Sequence, residues 1–144
     1  MFAMPVAFGS PAYDETVRLR DKLLRKPHQL EFTPAELAIE YDSYHLACYN
    51  SLWGLLACMV LKPTDANVLK MRQVAVEDWC QGRGVGTFLV NYSEVFARHL
   101  GIEQFFLHAR EKAIPFYERL GYKKVGERFT EVTIPHYRME KWLV

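Results

Sequence analysis

The chain has 144 residues, of which 50% are hydrophobic and 24% are charged, and its formal net charge is +1. This length suits a single domain with a core of its own, which we place at residues 1–144. A nearly neutral chain has no overall field that attracts nucleic acid or an acidic membrane surface, so we expect neither as a partner.

The N-terminal stretch and the cysteines indicate the compartment. Met1–Phe8 is apolar, but it is too short to cross a membrane and lacks the basic start of a secretory signal. The three cysteines contain no CxxC pair, which is typical of small buried side chains in a reducing compartment. We therefore expect a cytoplasmic protein. No two histidines lie at metal-ligand spacing, so no metal is expected.

The N-terminal half predicts a strand, two helices, an antiparallel hairpin and a polar loop. Capping residues define the helix starts, because Ser10 precedes Pro11 and Thr33 stands three residues before Glu36. In chain order the predicted elements are the strand Met1–Phe8, a helix from Ser10 to Pro27, a short helix from Thr33 to Asp42, the hairpin strands Tyr44–Tyr49 and Trp53–Leu61, and the loop Lys62–Asn67.

Residues 27–43 are rich in acidic side chains, at Glu31, Glu36, Glu40 and Asp42. These side chains either belong to a solvated, mobile connection or line a negative rim that attracts a cationic amine. The sequence leaves both interpretations open.

The C-terminal half predicts alternating strands and helices around a glycine-rich turn. Gly101 and Gly121 are expected to end the two helices. The predicted elements are the strand Val68–Val76, the turn Gln81–Gly86, a helix over Thr87–Leu100, the strand Glu103–Arg110, a short helix over Lys112–Gly121, a strand that begins at Tyr122–Val125, a connection over Phe129–Pro135 and a last strand over Ile134–Trp142.

The turn Gln81–Gly86 has the composition of an anion-binding loop. Its glycines let the backbone approach a ligand closely, and the first amides of the following helix have no partner inside that helix. A diphosphate is the natural ligand, although the same glycines would also make a tight connection. A phosphate-loop NTPase needs a Gly-Lys pair, which is missing, and a dinucleotide fingerprint needs glycine where Thr87 stands.

Gln81-x-x-Gly84-x-Gly86 resembles the Q/R-x-x-G-x-G/A signature of the GNAT family of N-acetyltransferases, whose turn binds the pyrophosphate of acetyl-CoA. Phe116–Tyr122 is similar to the F-Y-x-x-x-G-F/Y segment of the same family, and the order of the elements matches. The resemblance implies an α/β (α+β) fold, with a mixed, largely antiparallel sheet flanked by helices. Further stretches resemble a small bacterial single-domain subgroup: Leu19–Pro27, Met71–Val76, Leu107–Arg110 and Ile134–Met139.

The resemblance implies acetyl-CoA as the co-substrate. The turn backbone and Thr87 would hold the pyrophosphate, with Arg83 as a charged contact or as a solvent-facing residue. The strand backbone at Val74–Val76 would pair with the pantetheine arm, and the acetyl group would enter where two strands separate at Ala109. The implied cofactor-binding residues are Val74, Ala75, Val76, Gln81, Gly82, Arg83, Gly84, Val85, Gly86, Thr87, Ala109, Lys112 and Phe116.

One position departs from the family pattern. Many members have an asparagine a few residues before the tyrosine of the second motif, where it binds pantetheine. Here Lys112 stands in that neighbourhood, and it would bind a phosphate of CoA or face solvent. The role of the asparagine is therefore not transferred to this chain.

Tyr117 stands at the general-acid position of the family. A phenol with a pKa of about 10 can protonate a thiolate leaving group without ionising at neutral pH. The general base is open; our first candidate is His108, which alternates with Phe106 and Arg110 on one strand face, although a structural role suits this histidine better. Weaker candidates are His136, Glu127, Glu131 and Glu40, and a carboxylate on the acceptor could bind Arg72 and Arg110.

The resemblance implies direct transfer of an acetyl group to a primary amine of a small molecule or peptide. A non-catalytic acyl-CoA sensor with the same fold and a nucleotide-binding domain are the alternatives. The exposed strand edges of such a sheet make a homodimer plausible.

Overall fold

The computed structural model describes residues 1–144 and contains seven strands in one sheet: β1 (Phe2–Val6), β2 (Tyr44–Tyr49), β3 (Leu55–Asp65), β4 (Val68–Val76), β5 (Gln104–Arg110), β6 (Lys123–Glu131) and β7 (Ile134–Trp142). The strand order is β1-β2-β3-β4-β5-β7-β6. Every neighbouring pair is antiparallel except β4 and β5, which are parallel. The mixed, largely antiparallel sheet predicted from the sequence is confirmed.

Four α-helices accompany the sheet: α1 (Pro11–Arg20), α2 (Pro34–Ala38), α3 (Val85–His99) and α4 (Ile114–Arg119). The predicted caps are confirmed. The Ser10 hydroxyl accepts a hydrogen bond from the Tyr13 amide at 3.1 Å, which satisfies one free donor at the start of α1. Thr33 and Glu36 form the reciprocal capping box at the start of α2.

Helices α1 and α3 cover opposite faces of the sheet. Under α3, the side chains of Leu69 on β4 and Phe105 on β5 pack in the main core with Leu89. On the other face, Leu19 of α1 packs against Cys58 and Ala75. The alternation of side chains along each strand therefore supplies both packing surfaces.

Two strands are longer than predicted. β3 begins at Leu55 rather than Trp53 and runs through the predicted polar loop to Asp65, because Lys62 and Pro63 pair with β4. β6 likewise continues to Glu131, so much of the predicted connection is strand. In both places backbone pairing with a neighbouring strand overrides the polar composition.

The first helix changes form before its predicted end. It is α-helical only to Arg20 and continues as a π-turn over Asp21–Arg25 and a 3₁₀-turn over Lys26–His28. The predicted second helix is also divided, into α2 and a 3₁₀-turn over Ile39–Asp42. The segment between these two helices lies beside residues 70–74 in the middle of β4, where the candidate site is found.

Glu40 is buried with 5% of its surface exposed, which contradicts both interpretations of the acidic segment for this residue. The Arg20 guanidinium donates to its two oxygens at 2.8 and 2.9 Å, and the Tyr13 hydroxyl donates at 2.7 Å. Burial raises the pKa of Glu40, but the hydrogen bonds and charge of Arg20 outweigh that effect and lower it. Glu40 is a structural counter-ion that joins α1 to the segment before β2, and it is not free to act as a general base.

Replacing Glu40 by Gln should lower the free energy of unfolding by about 3–5 kcal/mol, because the buried Arg20 loses its counter-ion. Urea denaturation at neutral pH measures this loss. In the unmodified protein the stabilisation that ionised Glu40 supplies is fully present above the ordinary carboxyl pKa of about 4.3. It is lost as the pH falls through the lower pKa that Glu40 has in the folded state.

The matched control is Glu36→Gln, because Glu36 pairs at 2.9 Å with Arg25 near the surface and glutamine can keep the capping hydrogen bond. This variant should lose less than about 1 kcal/mol. Equal losses in the two variants would contradict a structural role for the buried pair.

Candidate functional site

The two central strands separate halfway along their length. β4 and β5 pair from Val68 with Gln104 to Met71 with Leu107, and no pair follows. At this point β4 has a bulge, where Gln73 has a φ of +54° and the register against β3 shifts. The ends of β4 and β5 therefore border a gap, which is the separation expected near Ala109.

The bulge keeps apolar side chains on the same face of β4. Met71 before the bulge and Val74 after it both belong to the core beneath α3, although three positions separate them and strict alternation would place them on opposite faces. The edge of residues 72–76 that faces β5 forms no strand pair. Such an edge has free backbone groups for an extended ligand.

A cavity of about 550 Å³ occupies the gap and extends to both faces of the sheet. Ala113 and Tyr117 line it from the side of α4, and Lys70 and His108 line it from the opposite side. Leu24, from the π-turn after α1, covers part of it. The cavity is thus a passage through the sheet between two chemically different surfaces.

The glycine-rich turn leads into the start of α3. Gly82 and Gly84 have φ values of +77° and +82°, which side chains other than glycine rarely adopt. Several amides here donate to no acceptor within the protein, namely those of Gly82, Gly84, Val85, Gly86 and Thr87. With the dipole of the 15-residue helix α3, these amides form a site suited to an anion.

Two contacts connect this turn to the gap. A Cβ atom added to Gly86 would lie 3.3 Å from Phe116 Cζ and 3.7 Å from Val76 Cγ2, so glycine allows α3, α4 and β4 to approach one another. The Gln81 side-chain amide donates to the Val76 carbonyl at 3.0 Å. The Val76 carbonyl therefore already has a hydrogen-bond partner. The backbone of Val74 forms no strand pair on the side that faces β5.

Tyr117 is held by aromatic neighbours and lines the cavity. Its ring packs edge-on against Phe116 at 5.0 Å and Tyr122 at 5.7 Å between centroids. The Tyr122 hydroxyl donates to Glu94, whereas the Tyr117 hydroxyl has no partner within the protein. Burial raises the pKa of Tyr117 to about 12, so its phenol stays protonated and can donate a proton.

His108 belongs to a cluster on the opposite face. Its Nδ1 lies 3.4 Å from a Glu131 oxygen, the other Glu131 oxygen lies 3.8 Å from His136 Nε2, and the His108 ring packs edge-on against Phe129. Burial lowers the pKa of His108, and the charge of Lys70 lowers it further, while Glu131 opposes both. The imidazole is therefore neutral near pH 7 and able to accept a proton.

The remaining predicted residues lie at different distances from the cavity. Arg72 and Arg110 line it, and so do His136 and Glu131. Glu127, Arg83 and Lys112 are exposed and do not line it. Arg83 nevertheless belongs to the turn with the free amides.

Sequence reasoning missed Gln73 and Lys70. The Gln73 Oε1 atom is buried without a hydrogen-bond partner, and the residue lines the cavity. A glutamine in a β-prone run gave no signal, because the bulge is visible only in the strand register. Lys70 and Arg72 did carry a signal, since charged residues that alternate with apolar ones on a central strand indicate a polar face.

Other kinds of site are not seen. No group of three or more His, Cys, Asp and Glu side chains is arranged to hold a metal ion. Cys48, Cys58 and Cys80 are buried and unpaired, as the sequence predicted. None of the helices has the length and apolar character needed to span a bilayer.

Comparisons with known proteins converge on one family. Residues 13–122 match the model of the acetyltransferase (GNAT) family. YjcF of Bacillus subtilis, an uncharacterized N-acetyltransferase, is 33% identical over 119 residues, which are 75% of this chain and 79% of that protein. Another Bacillus subtilis relative, assigned as an acetyltransferase, is 33% identical over 72 residues, which are 50% of this chain and only 49% of that protein.

Solved structures share the fold. An acyl-CoA N-acyltransferase from Pseudomonas aeruginosa has a TM-score of 0.80 at 20% identity, over 97% of this chain and 98% of that one. An aminoglycoside 6'-N-acetyltransferase solved with coenzyme A has a TM-score of 0.80 at 17% identity, over 100% of this chain and 98% of that one. At these identities the likeness concerns the fold.

The imidazole of His108 should titrate below the ordinary histidine pKa of about 6.5, because burial and Lys70 disfavour its charged form. Lys70→Met should raise this pKa, and Glu131→Gln should lower it. The measurement is the pH dependence of the imidazole carbon–proton NMR signals.

Lys22→Met is the control, because Lys22 is exposed, pairs with Glu77 and lies outside the cavity. It should leave the titration of His108 unchanged. A pKa for His108 above the ordinary value, or the same shift in both lysine variants, would contradict the described cluster.

Proposed function

The chain belongs to the GNAT family of acetyltransferases, and from that premise we propose that it transfers an acetyl group from acetyl-CoA to a primary amine by direct attack. One observation carries the proposal. A single cavity joins the side of the sheet that holds the free amides and Tyr117 to the side that holds His108. A co-substrate and an acceptor that approach from opposite faces would meet in the gap between β4 and β5.

The residues of the turn fit the pyrophosphate of CoA. Amides that lack an acceptor can donate to phosphate oxygens, and the glycines let the ligand approach the backbone. Arg83 would add a positive charge at the exposed turn, and Lys112, exposed in the 3₁₀-turn that follows β5, would bind a further phosphate. The free edge at Val74 would pair with the amide groups of the pantetheine arm.

Transfer needs two proton movements. The acceptor ammonium must lose a proton before its nitrogen can attack the acetyl carbonyl, and the sulfur must gain a proton as the carbon–sulfur bond breaks. Neutral His108 is our candidate for the first step, with Glu131 stabilising its charged form. The buried phenol of Tyr117 is our candidate for the second step, because its pKa of about 12 keeps it protonated at neutral pH.

Tyr117→Phe should reduce the rate of thiol release by about 100-fold or more, the range typical of a lost general acid. Affinity for acetyl-CoA should change little, because phenylalanine keeps the ring packing. Thiol release over a panel of amines measures the rate, and calorimetry measures the affinity.

Tyr92→Phe is the control, because Tyr92 lies on α3 away from the cavity and should keep the full rate. A Tyr117→Phe variant with an unchanged rate would remove Tyr117 from the mechanism. Binding of acetyl-CoA with no thiol release from any amine would favour a non-catalytic acyl-CoA sensor.

Gly84→Ala should weaken the binding of acetyl-CoA by about tenfold or more, which corresponds to about 1.4 kcal/mol, because a Cβ atom disfavours the φ that orients the amides of the turn. Gly101→Ala is a matched control, since Gly101 also has a positive φ, +79°, and also has open space around it, but it lies at the far end of α3. Both variants should lose similar stability. Unchanged affinity in Gly84→Ala, or equal weakening in both, would contradict pyrophosphate binding at the turn.

A further inference from the structure

One side of the cavity carries positive charge that the protein does not neutralise. Lys70, Arg72 and Arg110 line it, and none of them forms an ion pair with a carboxylate. The Arg110 guanidinium has one hydrogen-bond contact, with an imidazole nitrogen of His28 at 3.2 Å. We call these three residues the cationic cluster.

Strand alternation places the cationic cluster on one face. Leu69 and Met71 of β4 enter the core beneath α3, so Lys70 and Arg72 lie on the opposite face. On β5 the core residue Ala109 likewise leaves Arg110 on that opposite face, together with His108. The cationic cluster therefore lies on the same side as the proposed general base.

The two carboxylates of the cavity contact residues other than the cationic cluster. Glu36 accepts from Arg25 at 2.9 Å and from the Thr33 amide at 3.1 Å. Glu131 lies between the two histidines His108 and His136. Four cationic side chains and two carboxylates line the cavity, which leaves a formal excess of two positive charges.

The like charges of the cationic cluster repel one another, and this repulsion destabilises the fold. Burial lowers the pKa of Lys70, and the nearby charge of Arg72 lowers it further, while the charge of Glu131 opposes both. A bound anion would relieve that repulsion. Perturbed charges that line a cavity are typical of functional sites.

We propose that the acceptor is a primary amine that also carries a carboxylate, which binds to the cationic cluster while the amine points into the gap. The proposal deepens and rests on the proposed acetyl transfer. The guanidinium groups of Arg72 and Arg110 suit a carboxylate, because each presents paired donors in a plane. The excess positive charge would repel an acceptor with several ammonium groups, and it would favour loss of the proton from a single ammonium.

The experiment compares pairs of acceptors, one with an anionic group and one with a neutral group in its place. α-Amino acids and ω-amino carboxylates of increasing chain length are each assayed against their primary amides, by thiol release from acetyl-CoA. At least one carboxylate should exceed its amide by about tenfold or more in kcat/KM. Phosphoethanolamine and ethanolamine form a further pair, and a simple polyamine completes the panel.

Variants of the cationic cluster test whether its arginines cause the preference for a carboxylate. Arg72→Gln and Arg110→Gln should each raise KM for the preferred carboxylate by about tenfold, with a smaller change in kcat and little effect on the amide. Arg128→Gln is the matched control, because Arg128 is exposed on β6 and does not line the cavity. The comparison of acceptors in the unmodified protein stands even if a variant fails to fold.

Each outcome decides the proposal. Equal or better rates with the amides or the polyamine overturn it, and a preference confined to phosphoethanolamine overturns the assignment to a carboxylate.

If acetyl-CoA binds but no amine releases thiol, the proposed transfer fails, and calorimetry with N-acetylated amino acids and their amides tests the cluster directly. Selective binding of the carboxylates then supports the anion site, and equal or absent binding overturns it.

Discussion

The backbone pairing of β4 with β5 stops at Met71 and Leu107, and the rest of the site depends on that interruption. If the two parallel strands stayed paired to their ends, their backbone groups would be satisfied and the sheet would have no passage. The bulge at Gln73 makes the separation compatible with a packed core, because it keeps both Met71 and Val74 beneath α3. A phenol on one side of the sheet and an imidazole cluster on the other therefore line one cavity.

Much of the fold was predictable because local signals and tertiary structure agree. The caps at Ser10 and Thr33 satisfy free helix donors, and the apolar periods fit helices and strands that bury one face. Predictions failed where pairing partners distant in the sequence decide the conformation. Lys62 becomes part of a strand because β4 pairs with it, and Glu40 is buried because Arg20, twenty residues earlier, supplies its counter-ion.

Site residues that belong to short sequence motifs could be predicted, whereas those that come together from distant strands could not. The turn Gln81–Gly86 and the segment around Tyr117 are short motifs, so their residues were named from the sequence alone. The acceptor side is assembled from strands that lie far apart along the chain, and no local pattern brings Glu131 to His108 or Arg110 to Lys70. The bulge at Gln73 also had no sequence signal, because glutamine is neither the glycine nor the asparagine that a positive φ favours.

The central claim is that the free amides of the turn and the open edge of β4 receive acetyl-CoA. Hydrogen–deuterium exchange with and without acetyl-CoA measures it most directly, because each amide that gains an acceptor exchanges more slowly. Slower exchange should be concentrated in Gly82–Thr87 and Val74–Val76, with little change in β1 or in the β6–β7 pair. Unchanged exchange in both segments at a saturating concentration of acetyl-CoA would contradict the account.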